Sequence, residues 1–186
     1  MDMPAFLSGK MLLAMPGIGD PRFEHAVIAM CSHDSQGALG VGIGHVIRGM
    51  GFHELLAQFD IAPGVAPDVP VHAGGPVEPQ RGFILHGNDW GGQDSIHVGD
   101  RWVLTGTIDI LRAIAAGTGP RQWIAALGYA GWGPGQLEGE LTRHGWFVAD
   151  GDASALFDRR TEERWRAAYA AAGVDASLLA PAAGRA

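Results

Sequence analysis

Three groups of residues in this sequence have types and spacings suited to chemistry. Cys31 and His33 stand two apart at the end of the apolar run Val27 to Cys31. On a continuing strand both side chains point to one face. An imidazolium beside a thiol lowers its pKa and makes a nucleophile. The same cysteine also reads as a small buried hydrophobe, and no third residue that would orient the pair is identifiable.

The second group is Gly74-Gly75-Pro76 with Arg81 and His86. Consecutive glycine N–H groups form an anion-holding nest, and an arginine fork suits carboxylate or phosphate. A hairpin turn from Gly74-Gly75 to Gly82, with Arg81 on the surface, accounts for the same residues. The third group runs from Tyr129 to Glu138. A strand feeding through glycines into a helix exposes N–H groups that accept anions. Tyr129 and Trp132 would then flank a bound ring, with Gln136 and Glu138 as the polar groups. Alternatively the glycines make a tight connection and the aromatics fill the core.

Other motifs are missing from the sequence. It has no G-x-S-x-G elbow, no Walker loop and no H-E-x-x-H. Its eight histidines form no i, i+4 ligand pair, and Cys31 is the only cysteine. No metal site, cofactor or disulfide is therefore expected. Lys and Arg number 13 against 20 Asp and Glu, a formal net charge of −7. That weighs against nucleic-acid binding, which needs a basic face. No apolar run approaches the ~20 residues of a membrane span, so a soluble cytoplasmic protein is expected.

The elements that must position these groups are short. The 186 residues suit one domain over 1–186, with a loosely held tail after about residue 180. Runs at Met11 to Met15, Val27 to Cys31 and Ala38 to Gly44 read as strands. In the third, Leu39, Val41 and Ile43 alternate with Gly40, Gly42 and Gly44. One face is then bare, which usually lets another backbone approach, and something is expected to pack tightly over it. Further strands are predicted at Val69 to Val71, Arg81 to Leu85, Ser95 to Val98 and Trp102 to Leu104, while Trp123 to Tyr129 reads as strand or helix, the glycines after it favouring strand. Helices are predicted at Phe52 to Phe59, at Ile108 to Ala116 capped by Thr107 and stopped by Gly117, and from Pro134 to about Arg143. A last helix follows Asp158 or Thr161, with Trp165, Ala168, Tyr169 and Ala172 in one stripe. Its Arg159, Arg160, Arg164 and Arg166 read as a wet face or a partner contact. Asp20, Arg22 and Glu24 read as a solvated loop edge. Strands dominate the first half, so the fold class is α+β with a largely antiparallel sheet.

Several segments, in order, resemble the YqgE/AlgH family of bacterial proteins. They are Leu13-Ala14-Met15-Pro16, Asp20-Pro21-Arg22-Phe23, Gly74-Gly75-Pro76-Val77, Arg81 to His86, Gly128 to Glu138, and Leu156-Phe157-Asp158 with Arg164-Trp165. Leu104-Thr105 with Asp109-Ile110-Leu111 extends the match. Departures stand at Gly44-His45-Val46, at His144-Gly145 and at the Gly184-Arg185-Ala186 end. The resemblance implies a compact fold whose sheet curls toward a barrel with flanking helices. It also implies a transcriptional-regulator label, with no agreed DNA-binding motif, catalytic residue or cofactor. The leading expectation is thus a non-enzymatic regulatory protein that binds another protein or a small ligand. The alternative is an enzyme or binding protein for a small anion, in a cleft near Arg81, His86 and Tyr129–Glu138. Direct DNA binding is the weakest of the readings.

Overall fold

The structure, a computed structural model, describes residues 6–15, 24–92, 94–143 and 145–174. The tail after about residue 180, Asp20 with Arg22, and His144 lie outside the described residues.

The chain opens with strands β1 (Lys10–Ala14), β2 (Val27–Asp34), β3 (Gly37–Gly42) and β4 (Val46–Gly51). Helix α1 (Phe52–Gln58) follows, then β5 (Pro70–Ala73), β6 (Val77–His86), β7 (Ser95–Val98) and β8 (Trp102–Thr105). The second half holds α2 (Ile108–Ala116), β9 (Trp123–Trp132), α3 (Gln136–Thr142), β10 (Trp146–Asp150) and α4 (Ala153–Phe157). A 3-10 turn at Thr161–Glu163 leads into α5 (Arg164–Ala171).

The strands order as β10-β1-β2-β3-β9-β6-β8-β7, and β4 pairs with β5 off this path. Every pairing is antiparallel except β5 with β9. Strand β9 joins the two halves. Its Val71-paired start lies between β5 and β6, while Ala130–Trp132 pairs with β3. Gly128 sits between those stretches at φ +77, a left-handed value that glycine accepts readily. The sheet curls until β2 touches β7, giving a half-barrel. The class is α+β, as expected.

Alternation along the strands sorts residues into the two faces. Val27, Ala29 and Cys31 point into the barrel core with Trp102, Phe83 and Ile124. Ile28 and Met30 point outward, where Leu137 of α3 and Trp132 cover them. On the other half, α1 and α2 cover Val71, Ile84 and Ala125 with Phe52, Leu55, Ile110 and Ile114. The bare glycine face is filled as anticipated. A Cβ on Gly42 would lie 2.6 Å from the Ala73 carbonyl oxygen at the end of β5, and one on Gly40 would meet the Ile28 and Met30 side chains at 2.6 and 2.9 Å.

Helix α5 closes the barrel mouth. The Trp165 Nε1–H and Tyr169 hydroxyl both donate to the Ala14 carbonyl, at 2.9 and 3.1 Å. Burial pushes the Tyr169 phenol up to about 12. Ala172, assigned to the buried stripe from sequence, is exposed because the helix ends at Ala171. Thr107 occupies the cap position of α2 but makes no side-chain capping bond, and its buried hydroxyl has no partner among the described residues. Helix α3 begins two residues after Pro134, with Gly135 at φ +75 as its cap. Strands β4 and β10 and helix α4 were not anticipated. Among the described residues, no helix is long and apolar enough to cross a membrane.

Candidate functional site

Cys31 and His33 do not share a face. The β2–β3 register shifts between Met30 and Ser32, a bulge that adds one residue and reverses the alternation. Cys31 stays in the barrel core, while His33 turns out toward α3. Burial pushes the Cys31 thiol up to about 12, with the Trp102 indole only partly offsetting it. We expect Ellman's reagent at pH 8 to modify native Cys31 at least 100-fold more slowly than the chain in 6 M guanidinium, since the thiolate is the reactive form. Equal rates would overturn the buried-thiol assignment.

His33 instead meets Glu138, a member of the third group. Its Nδ1 accepts the Leu7 N–H at 2.9 Å, so Nε2 carries the proton and donates to Glu138 at 3.0 Å. Glu138's own backbone N–H and the His33 ring hold that carboxyl below the usual carboxylate range. Gln136 accepts the Gly133 N–H at 3.0 Å, which occupies a turn donor an anion would need. Trp132 is buried, its indole N–H donating to Glu140 at 3.0 Å. Tyr129 lies edge-on to Phe83 at 5.6 Å. Tyr129 and Trp132 do flank an open depression of about 450 Å³, but its charged lining residue is Asp34, which repels anions.

The second group is also dispersed. Gly74 donates its N–H to the Leu127 carbonyl at 2.9 Å. Gly74 and Gly75 press against the backbone of β9 rather than forming a hairpin turn: a Cβ on Gly75 would lie 2.1 Å from the Tyr129 carbonyl carbon. The Arg81 fork donates to the Gly106 carbonyl at 3.1 and 3.2 Å and reaches Glu78 at 3.4 Å. His86 is fully buried, bonded to Thr105 Oγ1 at 2.8 Å and to the Gly87 carbonyl at 2.6 Å. Among the described residues, Arg81 bonds to Gly106 and Glu78 and His86 to Thr105 and Gly87, and neither bonds to Tyr129–Glu138.

A cleft of about 510 Å³ opens elsewhere, between β5, β9 and the segment joining α4 to α5. At its base lies Arg164, which the sequence read as part of a wet face or a partner contact but which is only 6% exposed. Its Nε donates to the Leu156 carbonyl at 3.1 Å and its Nη1 to the Ile43 carbonyl at 2.8 Å. Nη1 also reaches Thr161 Oγ1 at 3.3 Å and His72 Nε2 at 3.1 Å. Among the described residues no carboxylate pairs with this guanidinium, and Nη2 has no acceptor. Burial brings the Arg164 pKa down to about 10, offset in part by Glu162. Arg121, Arg159 and Arg160 line the same cleft. Arg160 is engaged by Glu162 and Glu163, at 3.1 and 3.5 Å.

His72 is held neutral beside this charge. Its Nδ1–H donates to the Ala125 carbonyl at 3.0 Å, leaving Nε2 to accept from Thr161 at 2.8 Å. Burial first, then the Arg164 charge, lower its pKa to about 4. The neutral form is therefore favoured in the folded state. Its contribution to stability is complete above about pH 6.5 and is lost as pH falls toward 4, about 3 kcal/mol in all. His86, also lowered by burial, acts in the same direction. We expect His72→Gln to lose less stability than the parent between pH 7.5 and 4.5 in urea titrations. Parallel curves would show that His72 does not titrate in this window.

His72 has no role in the sequence reading, and Arg164 enters it only within a family segment and as part of a wet face or a partner contact. The available signal was helical spacing: Arg164 stands four residues before Ala168, on the buried stripe. Among the described residues no group of three or more His, Cys, Asp or Glu could hold a metal ion.

A family model described as AlgH-like matches residues 11–177. A UPF0301 protein of Rhizorhabdus wittichii is 59% identical over 186 residues, covering all of both chains. One from Sphingopyxis alaskensis is 56% identical over 183 residues, 98% of each chain. The solution structure of the AlgH protein from Pseudomonas aeruginosa superposes with a TM-score of 0.81 at 39% identity, covering 96% of this chain and 95% of that one. A crystal structure of a Corynebacterium diphtheriae protein reaches a TM-score of 0.75 over 97% and 94% of the two chains, at 20% identity, and shares the fold.

Proposed function

This chain belongs to the AlgH-like family, and from the cleft its fold builds we propose that it is a cytosolic regulatory protein that binds a small anion and presents the bound state to a protein partner. One observation carries the reading. Arg164 is a buried cation to which, among the described residues, no carboxylate bonds and whose Nη2 has no acceptor. Its bonds to the Leu156 and Ile43 carbonyls solvate the charge without neutralising it, so an anion at Nη2 would supply a bonded counter-charge.

The same bonds link the site to the rest of the molecule. Arg164 ties α5 to the Ile43 carbonyl just past β3 and to the Leu156 carbonyl in α4. An anion that orients the guanidinium therefore stiffens the attachment of both helices, the surface offered to a partner. A binding role fits better than catalysis because the one thiol is held protonated in the core and His33 is held between Leu7 and Glu138. The formal charge of −7 likewise favours a protein partner over DNA. The lone unpaired Cys31 suits a reducing compartment.

Thermal unfolding at fixed ionic strength tests the reading. Millimolar phosphate, sulfate or citrate should raise the midpoint relative to chloride, because a ligand bound only by the native state stabilises it. The double variant Arg121→Ala, Arg159→Ala should respond less. Equal midpoints in all four salts would overturn the proposal.

A further inference from the structure

We propose that the anion is a small phosphate monoester carrying a planar ring, with the phosphate at Arg164 and the ring against Trp123 and Phe157. This rests on the anion-binding reading above and specifies its ligand. Three properties of the cleft carry it.

The first is charge. The cleft is lined by Arg121, Arg159, Arg160 and Arg164 against Glu162. A single carboxylate brings one negative charge, whereas a phosphate monoester brings roughly −1.5 to −2 at pH 7. The second is hydrogen-bond direction. The Arg164 Nη2 and the side chains of Arg121 and Arg159 have no acceptor among the described residues. His72 Nε2 and the Gln122 amide N–H, by contrast, are already engaged, the amide with Asp158 at 3.0 Å. These free groups are all donors, and phosphate presents three acceptor oxygens to planar arginine forks.

The third is size and wall chemistry. A volume of about 510 Å³ lies within the ~300–1,000 Å³ typical of small-molecule sites and far exceeds what inorganic phosphate fills. Trp123 and Phe157, with Pro67, Val69 and Pro70, give the remainder an apolar, partly aromatic lining. Such walls favour a flat ring, on which an arginine plane also stacks.

Calorimetric titration of the full chain with phenyl phosphate, adenosine 5′-monophosphate, inorganic phosphate, phenol, succinate and a phosphotyrosine peptide tests this. One of the two small esters should bind at least tenfold more tightly than inorganic phosphate, with phenol not binding. Arg164→Lys should weaken that ester at least tenfold. If that variant does not fold, the Arg121→Ala, Arg159→Ala double variant should show the same loss. Esters no tighter than inorganic phosphate would overturn the ring. Succinate tighter than every phosphate would overturn the phosphate while leaving the anion site standing. A peptide tighter than both small esters would overturn the small-molecule assignment. Phenol as tight as phenyl phosphate would overturn this inference alone, and no binding of any anion would overturn it together with the anion reading.

Discussion

Arg164→Met is expected to lower the unfolding free energy by about 2–4 kcal/mol and to remove the stabilisation by phosphate. The chain of causes begins with two carbonyls. Those of Leu156 and Ile43 each receive a charged donor from Arg164, at 3.1 and 2.8 Å. Hydrogen bonds to charged groups contribute about 1.5–3 kcal/mol each. Methionine fills similar space but donates nothing, so both carbonyls lose this donor. One effect opposes the loss: the variant no longer carries a buried cation lacking a counter-ion. Two charged bonds outweigh that relief, because the cation is already solvated by these same oxygens. For a chain of this length the midpoint should fall by roughly 4–16 °C. Phosphate then separates structure from function. At 100 times the dissociation constant it should add about 2.7 kcal/mol to the parent and nothing to the variant. A variant that keeps the full phosphate response would place the anion elsewhere.

Gly75→Ala should be the more damaging change, costing about 4 kcal/mol or more. A Cβ there would lie 2.1 Å from the Tyr129 carbonyl carbon, 2.2 Å from its oxygen and 2.4 Å from the Ala130 nitrogen. These are backbone atoms of β9, which pairs with β3, β5 and β6 and has little freedom to move. Overpacking a rigid site costs about 1–3 kcal/mol and occasionally more, and φ of +152 adds backbone strain for any L side chain. Together these approach the 5–15 kcal/mol that holds a typical domain folded. Two controls divide the causes. Gly49→Ala, at φ +75 with nothing within 4 Å, should cost only about 1 kcal/mol. Gly91→Ala, with open space and no positive φ, should be neutral within about 0.5 kcal/mol. Circular-dichroism melts of the three variants give the ranking, and a Gly75→Ala midpoint equal to that of Gly49→Ala would refute the backbone clash.

Local pattern was enough for much of the framework. The Ile108–Ala116 helix and its Gly117 stop, the Ser95–Val98 and Trp102 strands, and the short helix from Phe52 were legible because period, cap and stop all lie within a few residues. The ordered motifs from Leu13 to Trp165 carried the family and, with it, the curled α+β sheet. What escaped was held from a distance. Strand β10 exists because β1 supplies a ladder from Lys10–Asp150 to Ala14–Trp146, and nothing local distinguishes Trp146–Asp150 from a loop. Strand β4 is likewise an edge, glycine-broken and joined to β5 at only two positions.

The candidate site divides along the same line. Residue types and spacing in the chain determined its family, its fold class, its acidic balance and the glycines needed where backbones cross. Tertiary structure alone decided which side chains meet. A bulge between Met30 and Ser32 separated Cys31 from His33 and delivered His33 to Glu138, 105 residues away. Curling of the sheet brought Ile43, His72, Leu156 and Thr161 around Arg164. The physical reason is that a side chain's charge state and partners depend on burial and on neighbours remote in sequence. A strand of alternating residues reads the same whether its histidine meets solvent, a carboxylate or a buried guanidinium.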